Sequence, residues 1–177
     1  MQFFSTLLVA ATGLASMASA NSLKLVNSDS TDRYVVITAQ AGLQEYDPVY
    51  VPGNSNVTQE FADGWIGNIY SYNDGAENVP GILGEFRWNG YASQTYYDVS
   101  AIVAPDVTDG VMLIYPADSK SPISGCITYS CDKQYNAADD TQTQATPDSD
   151  LIVVLGQRIT VPRRGLNHVV ERSFVLS

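Results

Sequence analysis

The chain has 177 residues, a formal net charge of −10 and 11 tyrosines, with only 16% of its residues charged. That length buries the core of one domain and is too short for two. The acidic balance repels phosphate backbones and anionic lipid, which excludes nucleic acid and membrane surfaces as partners. Low charge and abundant Tyr also exclude a disordered chain.

Residues 1–20 read as a secretory signal peptide. Phe3, Phe4 and Leu7 to Ala11 open an apolar run, and Ala18-Ser19-Ala20 supplies the small-x-small pattern for cleavage after Ala20, although the leader lacks Lys and Arg. Nothing later has the roughly 18 consecutive apolar residues that span a membrane. Export sets how the two cysteines are read. Cys126 and Cys131 are the only pair and lie close together, so in an oxidising compartment they are expected to form one disulfide. Asn56-Val57-Thr58 is a sequon after the turn Pro52-Gly53-Asn54-Ser55, and Asn56 is the expected glycosylation site.

The mature chain opens with Ser22 to Asn27, which alternates apolar and polar residues, and Arg33 to Ala39, rich in β-branched residues and Tyr. With Ser28 to Asp32 between them they suggest a hairpin. Val49 to Val51 is stopped by Pro52-Gly53. Val57 to Phe61 alternates again, and Gly64 to Tyr70 is a strand whose glycines suggest a bulge. Asn73-Asp74-Gly75 is a turn. Gly81 to Trp88 resumes the strand pattern, and Asn89-Gly90 is a hairpin signal. Thr95 to Val103 is the best strand in the chain, followed by a loop and a strand over Val111 to Tyr115. Residues 136–150 read as an exposed acidic loop, and Leu151 to Leu155 as a buried strand. At least eight short strands with frequent turns point to an all-β, antiparallel β-sandwich over residues 21–156.

After Gly156 the character changes. Residues 157–177 carry Arg158, Arg163, Arg164 and Arg172, the single His168, and one acid, Glu171. This basic tail, opposite in sign to the rest of the chain, is expected to lie outside the fold.

Leu83-Gly84-Glu85-Phe86, then Asn89-Gly90, then Tyr96-Tyr97-Asp98-Val99-Ser100 resembles the central stretch of thaumatin-like proteins. Upstream, Val51-Pro52-Gly53 and Gly64-Trp65-Ile66-Gly67 resemble their Pro-Gly turn and Trp-containing strand. Over residues 22–155 the chain is similar to small secreted fungal members described as antigenic or yeast-phase-specific, some relatives of which carry a deoxyribonuclease-like label. The resemblance implies a sandwich of antiparallel strands and, in larger members, an acidic cleft that binds or weakly hydrolyses β-1,3-glucan. Glu85 matches the cleft glutamate and Asp98 the first cleft aspartate. The next family aspartate falls near Val103, with Asp106 displaced from it, and the family arginine falls near Asn68.

The residues themselves bear on the same region. Glu85 and Asp98 lie on strands joined through Asn89-Gly90, so the two can meet across the sheet. Glycoside hydrolysis asks for two carboxyls about 5–5.5 Å apart in retaining enzymes or about 6.5–9.5 Å in inverting ones. A structural assignment competes, with Asp98 bonded to backbone amides or Ser100 and Glu85 paired with Arg87. Flat rings with polar tips stack on sugars. Trp88, Tyr91 and Tyr96 flank the turn and are expected to be exposed for that purpose, whereas Trp65 is assigned to the core. A serine hydrolase is disfavoured, because the one histidine lies in the tail and Gly-x-Ser-x-Gly is absent. No metal site is expected: Asp106 to Gly110 reads as a turn with too few oxygens for a calcium loop. No cofactor-binding motif occurs. The expectation is a monomeric, extracellular or cell-wall protein that binds β-glucan or another wall polysaccharide, or an extracellular protein. The alternatives are a weak endo-β-1,3-glucanase using Glu85 and Asp98, and a secreted antigen or effector without a glycan ligand.

Overall fold

A computed structural model describes residues 21–129 and 131–160. The leader and residues 161–177 fall outside the described residues. Strands are β1 (Asn21–Asn27), β2 (Arg33–Ala39), β3 (Val49–Val51), β4 (Asn56–Phe61), β5 (Ile66–Asn73), β6 (Leu83–Arg87) and β7 (Thr95–Ser100), then β8 (Asp109–Pro116), β9 (Ser124–Gly125), β10 (Thr128–Tyr129), β11 (Gln144–Thr146), β12 (Asp150–Gln157) and β13 (Ile159–Thr160). One sheet runs β4-β1-β12-β8-β9, the other β11-β7-β6-β5-β2-β3, and β10 pairs with β13. The result is an all-β sandwich. Its pairings are mostly antiparallel, but β1 and β12 run parallel in register from Ser22↔Asp150 to Asn27↔Leu155.

Alternation builds the core, since successive side chains of a strand point to opposite faces. Leu23 and Leu25 of β1, Leu151, Val153 and Leu155 of β12 and Ile114 of β8 face Val35, Ile69, Phe86, Tyr97 and Val99 of the second sheet. At one end Phe61, Trp65, Phe86 and Trp88 form an aromatic cluster. Trp88 stacks on Phe61 at 5.0 Å and on Phe86 at 5.6 Å between ring centroids. Gly67 makes room for this cluster: a Cβ there would lie 2.4 Å from the Trp65 ring and 2.2 Å from the Thr38 carbonyl oxygen.

Three expectations are revised. The first two strands form no hairpin; they belong to different sheets. Arg33, 1% exposed, anchors the crossing between them through ion pairs of 2.6 Å each to Asp29 and Asp109 and a bond to Asn27 Oδ1. Asp109 is thereby engaged by Arg33. The β6–β7 hairpin forms as expected, with Asn89-Gly90 leading into a 3₁₀ turn at Tyr91–Ser93. The acidic loop is not wholly irregular, because its residues Gln144–Thr146 form β11 on the edge of the six-stranded sheet. Finally, the fold does not stop at Gly156. Gln157 ends β12, and Arg158 is 3% exposed, bonding Gln134 Oε1 and the Val111 carbonyl. Burial of a guanidinium is sustained only where its donors find acceptors, and these oxygens supply them. Cys126 and Cys131 are joined by a disulfide across a small loop.

Candidate functional site

The outer face of the six-stranded sheet carries an open cleft of about 360 Å³. Strand register explains its floor. Thr38 pairs with Asn68, Asn68 with Glu85 and Glu85 with Asp98, so four polar side chains from β2, β5, β6 and β7 form one row across the sheet. Thr143, just before β11, extends the row by donating its hydroxyl to Asp98 Oδ2 at 3.2 Å. Thr143 Oγ1 and the Tyr135 hydroxyl are in turn hydrogen-bonded at 2.8 Å. The adjacent row brings Ile66, Arg87 and Tyr96 to the same cleft.

Glu85 and Asp98 therefore meet, as the sequence suggested. They sit directly opposite on neighbouring antiparallel strands, where side chains approach closely. Asp98 is 8% exposed and Glu85 half-buried. Burial and the nearby Glu85 carboxyl push Asp98 up to about 7, against the smaller opposing pull of the Thr143 hydroxyl. Asp98 Oδ1 is buried without a hydrogen-bond donor. Glu85 lies within hydrogen-bonding reach of Asp98, and two carboxylates cannot bond each other without a shared proton. The raised carboxyl of Asp98 can therefore carry the proton of a hydrogen bond to Glu85.

The competing structural assignment is not what is found. Asp98 accepts from Thr143 and has Glu85 beside it, and among the described residues the ion pairs belong to Arg33, with none between Arg87 and Glu85. No group of three or more His, Cys, Asp or Glu among the described residues is placed to hold a metal ion.

The three aromatic candidates separate. Tyr96 lines the cleft, and its hydroxyl donates to the Tyr91 carbonyl at 3.2 Å. Tyr91 is 85% exposed on the 3₁₀ turn, but its ring does not line the cleft. Trp88 is not exposed. It is 1% accessible, and its Nε1 donates to the Ser149 carbonyl at 2.8 Å. The reason is parity: Gly84, Phe86 and Trp88 face inward, while Glu85 and Arg87 face the cleft. Trp65 is buried as expected. Asn56 is exposed at the start of the edge strand β4. Asn68, where the resemblance placed the cleft arginine, lines the cleft; Thr143 and Gln40 are cleft residues that sequence reasoning missed, and the alternation around Thr143 was the available signal.

No family model matches the sequence. The chain is 43% identical over 128 residues to the antigenic protein SchS21 of Stachybotrys chartarum, an alignment covering 72% of this chain and 89% of that one. The fold is similar to the crystal structure of the protein elicitor MoHrip2 from Magnaporthe oryzae, with a TM-score of 0.58, 11% identity, and coverage of 77% of this chain and 99% of the other.

Proposed function

The chain belongs to the family of the antigenic protein SchS21, and on that premise we propose that it is an extracellular protein that binds a cell-wall polysaccharide in the cleft on its six-stranded sheet. The observation that carries this reading is the polar row from Thr38 through Asn68, Glu85 and Asp98 to Thr143, with the Tyr96 ring beside it. Amide, hydroxyl and carboxyl groups on one surface match the dense hydroxyls of a sugar, and a tyrosine adds a flat apolar face with a polar tip. The disulfide suits an oxidising compartment. The likeness of residues 83–103 to thaumatin-like proteins supports a glucan ligand. A glycan on exposed Asn56 would lie on the five-stranded sheet, away from this cleft.

Binding is favoured over hydrolysis by the spacing of the carboxyls. A glycosidase places its two carboxyls on either side of the scissile bond, whereas Glu85 and Asp98 are close enough to hydrogen-bond each other. The test is retention on insoluble β-1,3-glucan, chitin and cellulose, with released reducing sugar assayed in the same tubes. Retention without release is expected. Asn68→Ala combined with Tyr96→Ala is expected to lower retention at least about tenfold, as two ligand contacts are lost. Tyr91→Ala is expected to leave it unchanged. Sugar release abolished by Glu85→Gln and Asp98→Asn would establish the glucanase instead. Neither retention nor release would overturn the carbohydrate reading and point to a protein partner.

A further inference from the structure

We infer that the cleft selects a cationic saccharide: a glucosamine-containing polysaccharide whose protonated amine seats between Glu85 and Asp98. The inference rests on the carbohydrate-binding reading and narrows it from wall polysaccharides in general to the de-N-acetylated class.

The first ground is an unsatisfied acceptor. Asp98 is 8% exposed and lines the cleft, and its buried Oδ1 finds no donor among the described residues beyond a proton shared with Glu85. Buried carboxylate oxygens are costly when unpartnered, so this atom calls for a proton or a donor carried by a ligand. A neutral sugar offers hydroxyls, whereas a protonated amine offers N–H donors and a positive charge together.

The second ground is the charge of the surroundings. Arg87 and Tyr96 are the other titratable side chains lining the cleft, on β6 and β7; β2, the residue that follows it and β5 contribute the neutral Thr38, Gln40 and Asn68. Beyond Thr143 stands the Tyr135 hydroxyl. Arg87 is exposed and makes no ion pair with either carboxyl among the described residues. The dyad therefore lacks a cationic side chain of its own to neutralise it, and a ligand ammonium supplies one. Asn68, next to Glu85 in the row, and Thr143, bonded to Asp98, provide neutral oxygens for the remaining N–H and hydroxyl groups of the same sugar.

The third ground is proton balance. The dyad shares one proton, and an ammonium that donates one N–H to each carboxylate, the two carboxyls moving apart to admit its nitrogen, takes over the role of that proton. Binding then releases the dyad's proton to the buffer, while the amine keeps its own. A neutral glucan would leave the shared proton in place.

The experiment is calorimetry at about pH 6 with a β-1,4-linked glucosamine tetramer, its N-acetylated counterpart and a β-1,3-glucose tetramer, repeated in buffers of different ionisation enthalpy. The glucosamine tetramer is expected to bind at least about tenfold more tightly than the other two, with proton release. Glu85→Gln and Asp98→Asn should each cost at least about tenfold. Glu60→Gln, on β4 of the other sheet, removes the same charge and should change nothing. Thermal melts confirm that each variant folds. Equal binding of the neutral tetramers overturns the amine preference and leaves the cleft reading standing. Binding that survives both dyad substitutions also overturns it, assigning the attraction to the overall acidic surface. If none of the three tetramers binds, both the inference and the carbohydrate reading fail.

Discussion

Asp98 couples the stability of the protein to pH. Its carboxyl ordinarily titrates at 3.8 and is raised to about 7 in the fold by burial and by Glu85. Between those values the folded state holds a proton that the unfolded chain has lost. The contribution is therefore complete below the unfolded value and is lost as pH rises through 7. Asp29 behaves in the opposite sense. Burial pushes it up, but the Thr31 amide and Arg33 outweigh that and hold it below its ordinary range. Its stabilisation is present above the unfolded value and lost as pH falls through the lowered one. Urea titrations are expected to show maximum stability in the acidic range between those limits. Asp98→Asn should flatten the fall towards neutrality, leaving the variant more stable than the parent above pH 7 by on the order of a few kcal/mol. Carboxyl carbon resonances provide a direct check, with the Asp98 midpoint near 7 dropping in Glu85→Gln as the neighbouring charge is removed.

At the scale of single elements, β6 shows how much was legible. The strand pattern and the meeting of Glu85 with Asp98 could be read from the residues, since two strands flanking a loop place opposed positions within reach. Trp88 was assigned to the surface because it adjoins Asn89-Gly90, although its parity with Phe86 marks it as inward. Trp88→Ala is expected to cost about 3–5 kcal/mol, whereas exposed Tyr91→Ala should shift stability by no more than about 0.5 kcal/mol; denaturant midpoints distinguish them. Thr143 was hidden by composition: a polar, acidic run resembles a solvated loop until the residues just after Thr143 pair as an edge strand with β7, distant in sequence. Arg158 was hidden in the same way. Its charge grouped it with the basic tail, while the oxygens that receive it come from Gln134 and Val111. Arg158→Ala, which empties this pocket and orphans its acceptors, is expected to destabilise by about 3 kcal/mol. The disulfide needed only proximity in sequence to be anticipated. Because its loop is short, Cys126→Ser with Cys131→Ser should cost about 2 kcal/mol, also measured by urea unfolding.

At the scale of the molecule, the sandwich was legible as a class because it follows from many short alternating strands. Its topology was not. A local rule pairs neighbouring strands, whereas β1 bonds to β4 and β12, and β2 reaches past its neighbour β3 to β5 as well. The buried Arg33 tie shows why: the crossing after β1 is fixed by carboxylates at Asp29 and Asp109, and the second of these is far along the chain. The parallel pairing of β1 with β12 also sets how the molecule bears load. Tension applied at Asn21 and at Gln157 pulls these strands along their length in opposite directions, because the paired residues run from Ser22↔Asp150 to Asn27↔Leu155. The hydrogen bonds between them then strain together in shear instead of opening one after another like a zip. Single-molecule stretching from these two ends is expected to require a markedly higher force than stretching between Asn21 and Phe61, which peels antiparallel β4 from β1 starting at their paired ends.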